Sequence, residues 1–348
     1  MKNNRSGFPA LMVFCLVSLL PATEYRPLPT VIKPDVLAVR GDDVLIAQGA
    51  QISIYSLAKK DIVHSFGRRG TGPREFQLLP TGTGLRVDIY EDFIFVGSIG
   101  KASWLGRDGH FIREQKISPF GRMTPFQEGF AGVQMTFVPD RRAPNMAFYL
   151  YHPQGAPLRE IATYPTRILH GPDVTLLDMV TAVIPHYHTS PDRIFIAGKQ
   201  TFQIDIYDEK GEFLRSITQS IPRRVFTPDE KKAIRNVYRI HPVYKNFWNR
   251  IEKSVKIPDH FPEFREFTLS GDRLFVLTFQ RREDKSEFLV FDLSGKSLGS
   301  AWLPVAFQDI VTPYLYAFSA GNFYQLTESE AEDWQLAVTP VTLDGPVR

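Results

Sequence analysis

The feature that most constrains this chain is a recurring unit of strands and turns. A short polar turn leads into an apolar strand. A second strand follows, then a glycine-containing turn and a third strand. Gly41-Asp42-Asp43 leads into VLIAQ, QISIYSL and DIVHSF. Glu91-Asp92 leads into FIFVGS and ASWLGRDGHFIREQKI, and Pro191-Asp192-Arg193 into IFIAGK and FQIDIYDEKGEFLRSI. Gly271-Asp272-Arg273 leads into LFVLTF and EFLVFDLSGKSLGSAW. Two looser copies are GFAGVQMTF with MAFYLYHPQGAPLREIA, and GNFYQLTE with DWQLAVTPVTL. The turns RDGH, PQGA, DEKG and LSGK fall at equivalent places, where glycine supplies positive φ and aspartate favours the turn start.

A further strand precedes the copies, as DVLAVR, GLRVDIY, VTLLDMVTAV, REFTLS and PYLYAFS. That makes four strands per unit. Six such units, each of roughly 45–50 residues, define an all-β fold, a six-bladed β-propeller of four-stranded antiparallel blades. Separate hairpins would leave sheet faces bare, whereas packed blades bury both. The last unit ends near Leu343 with only three strands, and Arg26–Lys33 (RPLPTVIK) has no partner of its own. This segment is expected to supply the missing strand, close the ring and remove an open edge.

Residues 227–255 break the β pattern. Thr227-Pro228-Asp229-Glu230 reads as an N-cap, a proline at the first helical position and a capping glutamate. Ile234, Val237 and Tyr238 share one helical face, Pro242 interrupts, and Tyr244, Phe247, Trp248, Ile251 and Val255 continue the pattern. The reading is a helical insertion between blades four and five. It either packs on an edge or covers one face of the disc.

Residues 1–22 have the layout of a secretory signal peptide: Lys2 and Arg5, an apolar run from Ala10 to Leu20, then Pro21-Ala22. Residues 23–348 are then the propeller domain, in a secreted or periplasmic protein. A lipoprotein is disfavoured, because Met12, Val13 and Phe14 stand before Cys15 where small residues are needed. No later run is apolar for long enough to span a bilayer. Cys15 is the only cysteine, which excludes a disulfide framework and a cysteine-rich zinc module. The 41 Lys and Arg residues face 38 Asp and Glu, and loss of the leader removes two of the basic ones. The near-neutral remainder gives no support to a nucleic-acid partner.

One junction carries a family resemblance. The pattern Phe66-Gly67-x-x-Gly70-x-Gly72-Pro73-x-x-Phe76 resembles the blade-joining segment of NHL-repeat and related TolB-like six-bladed propellers. The resemblance covers one repeat, and the other five units lack the glycine motif. It implies a ring with a central channel and most often a binding or scaffolding role, though some relatives are hydrolases, lactonases or lyases. Read from the residues alone, Gly67, Gly70 and Gly72 permit sharp bends, Pro73 stiffens the exit, and Phe66 and Phe76 pack between blades.

Candidate chemistry is sparse. Arg68, Arg69 and Arg74 are candidate ligand-binding residues for an anion, although no Gly-Lys-Ser/Thr and no helix completes a phosphate cradle. Arg141 and Arg142 sit in a charged insertion, Phe137–Pro144, and are further candidates. His186 and His188 stand at i and i+2, as a metal pair on a strand requires, with Asp173, Asp178 and Asp192 near in sequence. The simpler reading of that pair is a polar loop after Pro185. His152 and His170 stand alone. Glu91, Asp92, Asp192, Asp272 and Glu263 lie at strand entries near blade tops, where carboxylates could converge on a channel or simply serve turns. There is no G-x-S-x-G, H-E-x-x-H or C-x-x-C.

These observations point to a ligand-binding or protein-interaction propeller, with a protein partner or small ligand on one face. No cofactor is evident. The alternative is a metal-dependent hydrolase or lyase holding a divalent cation in the channel. Signal cleavage gives the first prediction: intact-mass measurement of exported protein finds a chain starting close to Thr23, and a retained residue 1 would refute the leader.

Overall fold

A computed structural model describes residues 23–78, 85–118, 121–136, 145–165, 186–197, 201–240, 245, 248–253, 257–309 and 312–345. The expected leader, residues 1–22, lies outside them. Each blade is a four-stranded antiparallel sheet, and its strands follow chain order from the channel outwards except in blade six, whose outer strand comes from the start of the chain. After β1 (Glu24–Pro27), blade one contains β2 (Val36–Arg40), β3 (Asp43–Gln48), β4 (Gln51–Ser56) and β5 (Asp61–Phe66). A two-stranded parallel link, β6 (Arg68–Arg69) and β7 (Glu75–Phe76), leads on. Blade two is β8 (Arg86–Ile89), β9 (Phe93–Ser98), β10 (Lys101–Gly106) and β11 (Phe111–Lys116). Blade three is β12 (Gly121–Phe126), β13 (Gly129–Thr136), β14 (Asn145–Tyr151) and β15 (Pro157–Pro165). Blade four is β16 (His186–Ser190), β17 (Arg193–Ala197), β18 (Gln203–Asp208) and β19 (Phe213–Thr218). Blade five is β20 (Phe264–Ser270), β21 (Arg273–Arg282), β22 (Lys285–Asp292) and β23 (Ser297–Leu303). Blade six is β24 (Tyr316–Ser319), β25 (Asn322–Glu328) and β26 (Trp334–Pro340), with β1 as its outer strand.

The strand pattern follows from what covers each sheet. Second strands such as Asp43–Gln48 and Phe93–Ser98 are buried along nearly their whole length, because a neighbouring blade lies on either side. This is why they read as continuous apolar runs rather than alternating ones. The outer strand Phe111–Lys116 is mostly exposed and correspondingly polar at its end. Six apolar clusters fill the six interfaces between neighbouring blades. One joins Leu45 and Ile54 of blade one to Val87 and Val96 of blade two. Another joins Tyr324 and Leu336 of blade six to Val44 and Ile46 of blade one.

Ring closure occurs as anticipated, with a shift in boundary. The closing strand is Glu24–Pro27, antiparallel to β26 with Tyr25 opposite Ala337. Residues beyond Pro27 in the expected segment serve another purpose. Leu28 and Val31 are buried between blades six and one. Trp334 donates its indole N–H to the Ile32 carbonyl at 2.8 Å.

Strand direction gives the disc two distinct faces. The first hairpins of all six blades and the third hairpins of blades one to five lie on one, the turn face. The second hairpins and all links between blades return to the other, the link face. The outer turns behave as read: Gly109, Gly155, Gly211 and Gly295 have φ of 81°, 82°, 76° and 82°. At the link after blade one, Gly67 has φ 87°. A side chain there would lie 2.5 Å from the Ala50 carbonyl and 2.7 Å from the Phe76 ring. Phe66 and Phe76 do pack between the blades. Gly72 has no positive φ but does open a bend, its carbonyl accepting the Glu75 N–H at 3.0 Å.

One strand assignment changes and one missing strand is found. The inner strand of blade four is His186–Ser190, not VTLLDMVTAV, whose residues 174–183 lie outside those described. The inner strand of blade three is Gly121–Phe126, a sequence with too much Gly, Arg and Pro to stand out. The closure predicts that Leu28→Ala lowers unfolding free energy by about 3 kcal/mol, since a fully buried leucine is lost at the seam. Denaturant titration checks this, and a change below about 1 kcal/mol would mean that the seam does not hold the ring.

Candidate functional site

The channel is built by the six inner strands, and a common register aligns them. Each turns into its neighbour through a two-residue hairpin, after Arg40, Phe126, Ser190, Ser270 and Ser319. In blade two the Tyr90 N–H reaches the Phe93 carbonyl at 2.8 Å, which makes the same turn. Alternate residues on a strand point the same way. Four residues before the turn stand Val36, Arg86, Arg122, His186, Glu266 and Leu315. Two residues before it stand Ala38, Asp88, Thr124, His188, Thr268 and Ala317. Between these two levels Val87, Met123, Tyr187 and Phe267 are buried against neighbouring blades. The ionisable groups of the channel thus fall on one set of positions, chiefly on blades two to five.

Their contacts cross the channel. Arg86 Nε donates to Asp88 Oδ2 at 2.7 Å, two residues along the same strand. Its guanidinium also lies 4.8 Å from the Tyr187 ring centre, so a side chain of blade two reaches blade four. Thr124 Oγ1 donates to Asp88 at 3.3 Å, and Tyr187 donates its hydroxyl to the Arg122 carbonyl at 2.8 Å. Tyr316 donates to Glu266 Oε1 at 2.8 Å. His188 Nε2 lies 3.0 Å from the Phe267 carbonyl oxygen, which can only accept, so Nε2 carries the proton.

Electrostatics follow from this enclosure. Burial pushes His188 down to about 3, with the Arg86 charge adding to the effect. Burial also lowers His186; Glu266 opposes this, while Arg122 and Arg265 reinforce it. Both imidazoles are therefore neutral at pH 7. Burial alone would weaken Arg86, but Asp88 outweighs it and holds the guanidinium pKa above its ordinary value. Arg122 is lowered by burial and then by Arg86. It is enclosed by protein yet open to solvent, as befits a side chain inside a channel. It forms no ion pair and no side-chain hydrogen bond among the described residues.

The arginines singled out in the sequence sit elsewhere. Arg68, Arg69 and Arg74 lie in the link after the outermost strand of blade one, on the link face but at the rim. Arg68 is paired with Glu75 at 2.7 Å, and the Arg74 guanidinium lies 5.9 Å from the Phe66 ring centre. Arg141, Arg142, His170, Asp173 and Asp178 lie outside the described residues. His186 and His188 are on a strand, not in a polar loop, and share one side of it. Among the described residues no three His, Cys, Asp or Glu side chains stand together as a metal would require. Glu91, Asp92, Asp192 and Asp272 occupy first hairpins, which puts them on the turn face, away from the channel's start. His152 belongs to an outer turn, where its N–H meets the Ala156 carbonyl. The signal missed in the sequence was register: counting back from each first turn brings out Arg86, Asp88, Arg122 and Glu266.

The insertion rises from the link face. Its helix, Pro228–Ile240, opens with the expected capping box: Thr227 Oγ1 accepts from the Glu230 N–H at 3.2 Å, and Glu230 accepts from the Thr227 N–H at 2.9 Å. Ile234 and Trp248 are buried, the latter on a short second helix, Trp248–Ile251. Phe226, Phe261 and Phe279 stack at 3.5 and 4.7 Å, which fastens the insertion to the end of β21. Glu263 accepts the Phe202 N–H at 2.6 Å and so anchors the insertion's return to blade four. Arg281 extends beside it with its guanidinium 4.3 Å from the Phe307 ring centre.

No family model matches the chain, and no curated protein matches it. Among solved structures it is similar to a "Putative exported protein" from Bacteroides fragilis, with a TM-score of 0.53 and 12% identity over 93% of this chain and 96% of that one. It is also similar to a member of the DUF4221 family from Bacteroides vulgatus, with a TM-score of 0.49 and 11% identity over 94% and 98%. At such identities the likeness to the first concerns the fold alone. The class of protein is a six-bladed β-propeller. No helix among the described residues is long and apolar enough to cross a membrane.

The neutral histidines make stability depend on pH. An unfolded histidine takes a proton near pH 6.5, while folded His188 does so only near 3. The stability due to this difference is complete above about pH 6.5 and is lost as pH falls towards 3. Between pH 6 and 5 the wild type is expected to lose stability more steeply than His188→Asn, by up to about 1.4 kcal/mol per pH unit for one proton. Parallel urea titrations at the two pH values measure it. Equal slopes would refute a buried neutral His188.

Proposed function

We propose that this chain is an exported propeller, secreted or periplasmic, that binds a small ligand at the link-face mouth of its channel. The observation that carries the reading is the convergence of elaborations on one face. The Phe66–Phe76 link and the helical insertion both belong to the face where the charged inner strands begin. The turn face carries first hairpins of two residues, which offer little for recognition. Enclosed polar groups at the centre of an otherwise apolar ring are the usual makings of a ligand site. Export is supported by the layout of residues 1–22 and by the similar exported Bacteroides protein. The Phe66–Phe76 junction supports kinship with NHL-repeat and TolB-like propellers.

Hydrogen exchange of the folded chain, with and without a ligand found by thermal-shift screening, tests the assignment. Protection is expected in residues 219–263 and in the first residues of the inner strands. Protection confined to the turn-face hairpins at Asp42, Asp92, Asp192 and Asp272 would overturn it. A divalent cation retained at one per chain after purification would instead favour the hydrolase or lyase reading.

A further inference from the structure

The channel carries one arginine that no carboxylate touches among the described residues, Asp88 acting on it only from a distance. Arg86 is answered by Asp88 at 2.7 Å. Glu266 is held by the Tyr316 hydroxyl and has Arg265 as its chain neighbour, whose charge also acts on Tyr316. That leaves Arg122, enclosed yet wetted, with no ion pair among the described residues. A wetted guanidinium ringed by protein keeps its whole donor fork free for an anion that enters the channel. At the same level on the next blade stands His186, which is neutral and has no hydrogen-bond partner among the described residues. A neutral imidazole offers one donor and one acceptor. The pair can therefore supply the bidentate fork of an arginine and one further donor to a single head group.

The opposite wall is different. In a ring of six, blades three and four face blades six and one. The residues at this level there are Leu315 and Val36, apolar side chains that pack partly on the seams between blades six and one and between blades one and two and leave no polar group on that wall. The ring thus sets a cationic and hydrogen-bonding side against an aliphatic one. Asp88 and Glu266 add negative field on the flanks, which penalises a second negative charge on any guest. The geometry points to a small organic monocarboxylate as the guest, its head group on Arg122 and His186 and its apolar remainder against Val36 and Leu315. This deepens the ligand-binding reading above and rests on it.

Isothermal titration of the chain without its leader, at pH 7, tests the assignment with hexanoate, succinate, inorganic phosphate and hexanol. Hexanoate is expected to bind one per chain, at least about tenfold more tightly than succinate or phosphate, and hexanol not at all. Arg122→Gln is expected to weaken hexanoate by roughly tenfold or more. Arg122→Lys keeps the charge but loses the fork, and a drop of about threefold to tenfold is expected. Circular dichroism and thermal melting of each variant establish that it folds, and the lysine variant decides the matter if the glutamine one does not. Absence of hexanoate binding, unchanged binding in the folded variants, or a preference for phosphate or succinate would overturn the proposal. If another ligand class still protects the link face, only the monocarboxylate assignment fails; if none does, the broader reading fails with it.

Discussion

Everything in this molecule depends on closing the ring. A blade has two apolar faces, and each is stable only against a neighbour. Six blades in a row would leave two of those faces bare, one at either end. The interface between blades six and one removes both, and it is built from opposite ends of the chain. Leu28 and Val31 fill it beside Tyr324 and Leu336, while β1 completes the sheet of blade six. The antiparallel pairing of Glu24–Pro27 with β26 also covers an edge that would otherwise invite another chain.

The closed ring places its variable material unequally. Links between blades must run from an outer strand to the next inner one, so all lie on one face, whether short as between Lys116 and Gly121 or long as between Phe66 and Arg86. The first hairpins need only two residues and leave the other face plain. Hence the charged inner strands, the glycine link and the helical insertion share one side of the disc without any need for long-range arrangement. Within the channel, enclosure then sets the chemistry. Two imidazoles stay neutral, one arginine is held by a carboxylate two residues away, and another stands unpaired.

How much of this was legible in the sequence varies with the kind of signal. Second strands such as VLIAQ and LFVLTF were plain because burial on both faces makes them uniformly apolar. The outer turns of blades two to five were plain because each carries a glycine at positive φ, as at Gly109, whereas that of blade one uses Lys60 instead. Inner strands were the hardest. They are partly wet, and Gly121–Phe126 and His186–Ser190 look like loops by composition. The arginines that draw the eye, Arg68 and Arg69, cluster in sequence but sit at the rim. Arg86 and Arg122 are far apart in the chain, and only the ring brings them to one level. A site assembled from one residue per blade leaves no local motif.

The uniform two-residue first hairpins have a consequence for variation among chains of this architecture. They fix the count from turn to channel, so one level of the channel maps to six single positions: Val36, Arg86, Arg122, His186, Glu266 and Leu315. Those six letters act as an address that can be read without aligning anything else. Lengthening an outer loop or an insertion leaves the address intact. Adding one residue inside an inner strand would turn a charged side chain into the blade interface and an apolar one into the channel. Selectivity in such a ring can thus be rewritten one blade at a time, while the seams that hold it closed stay as they are.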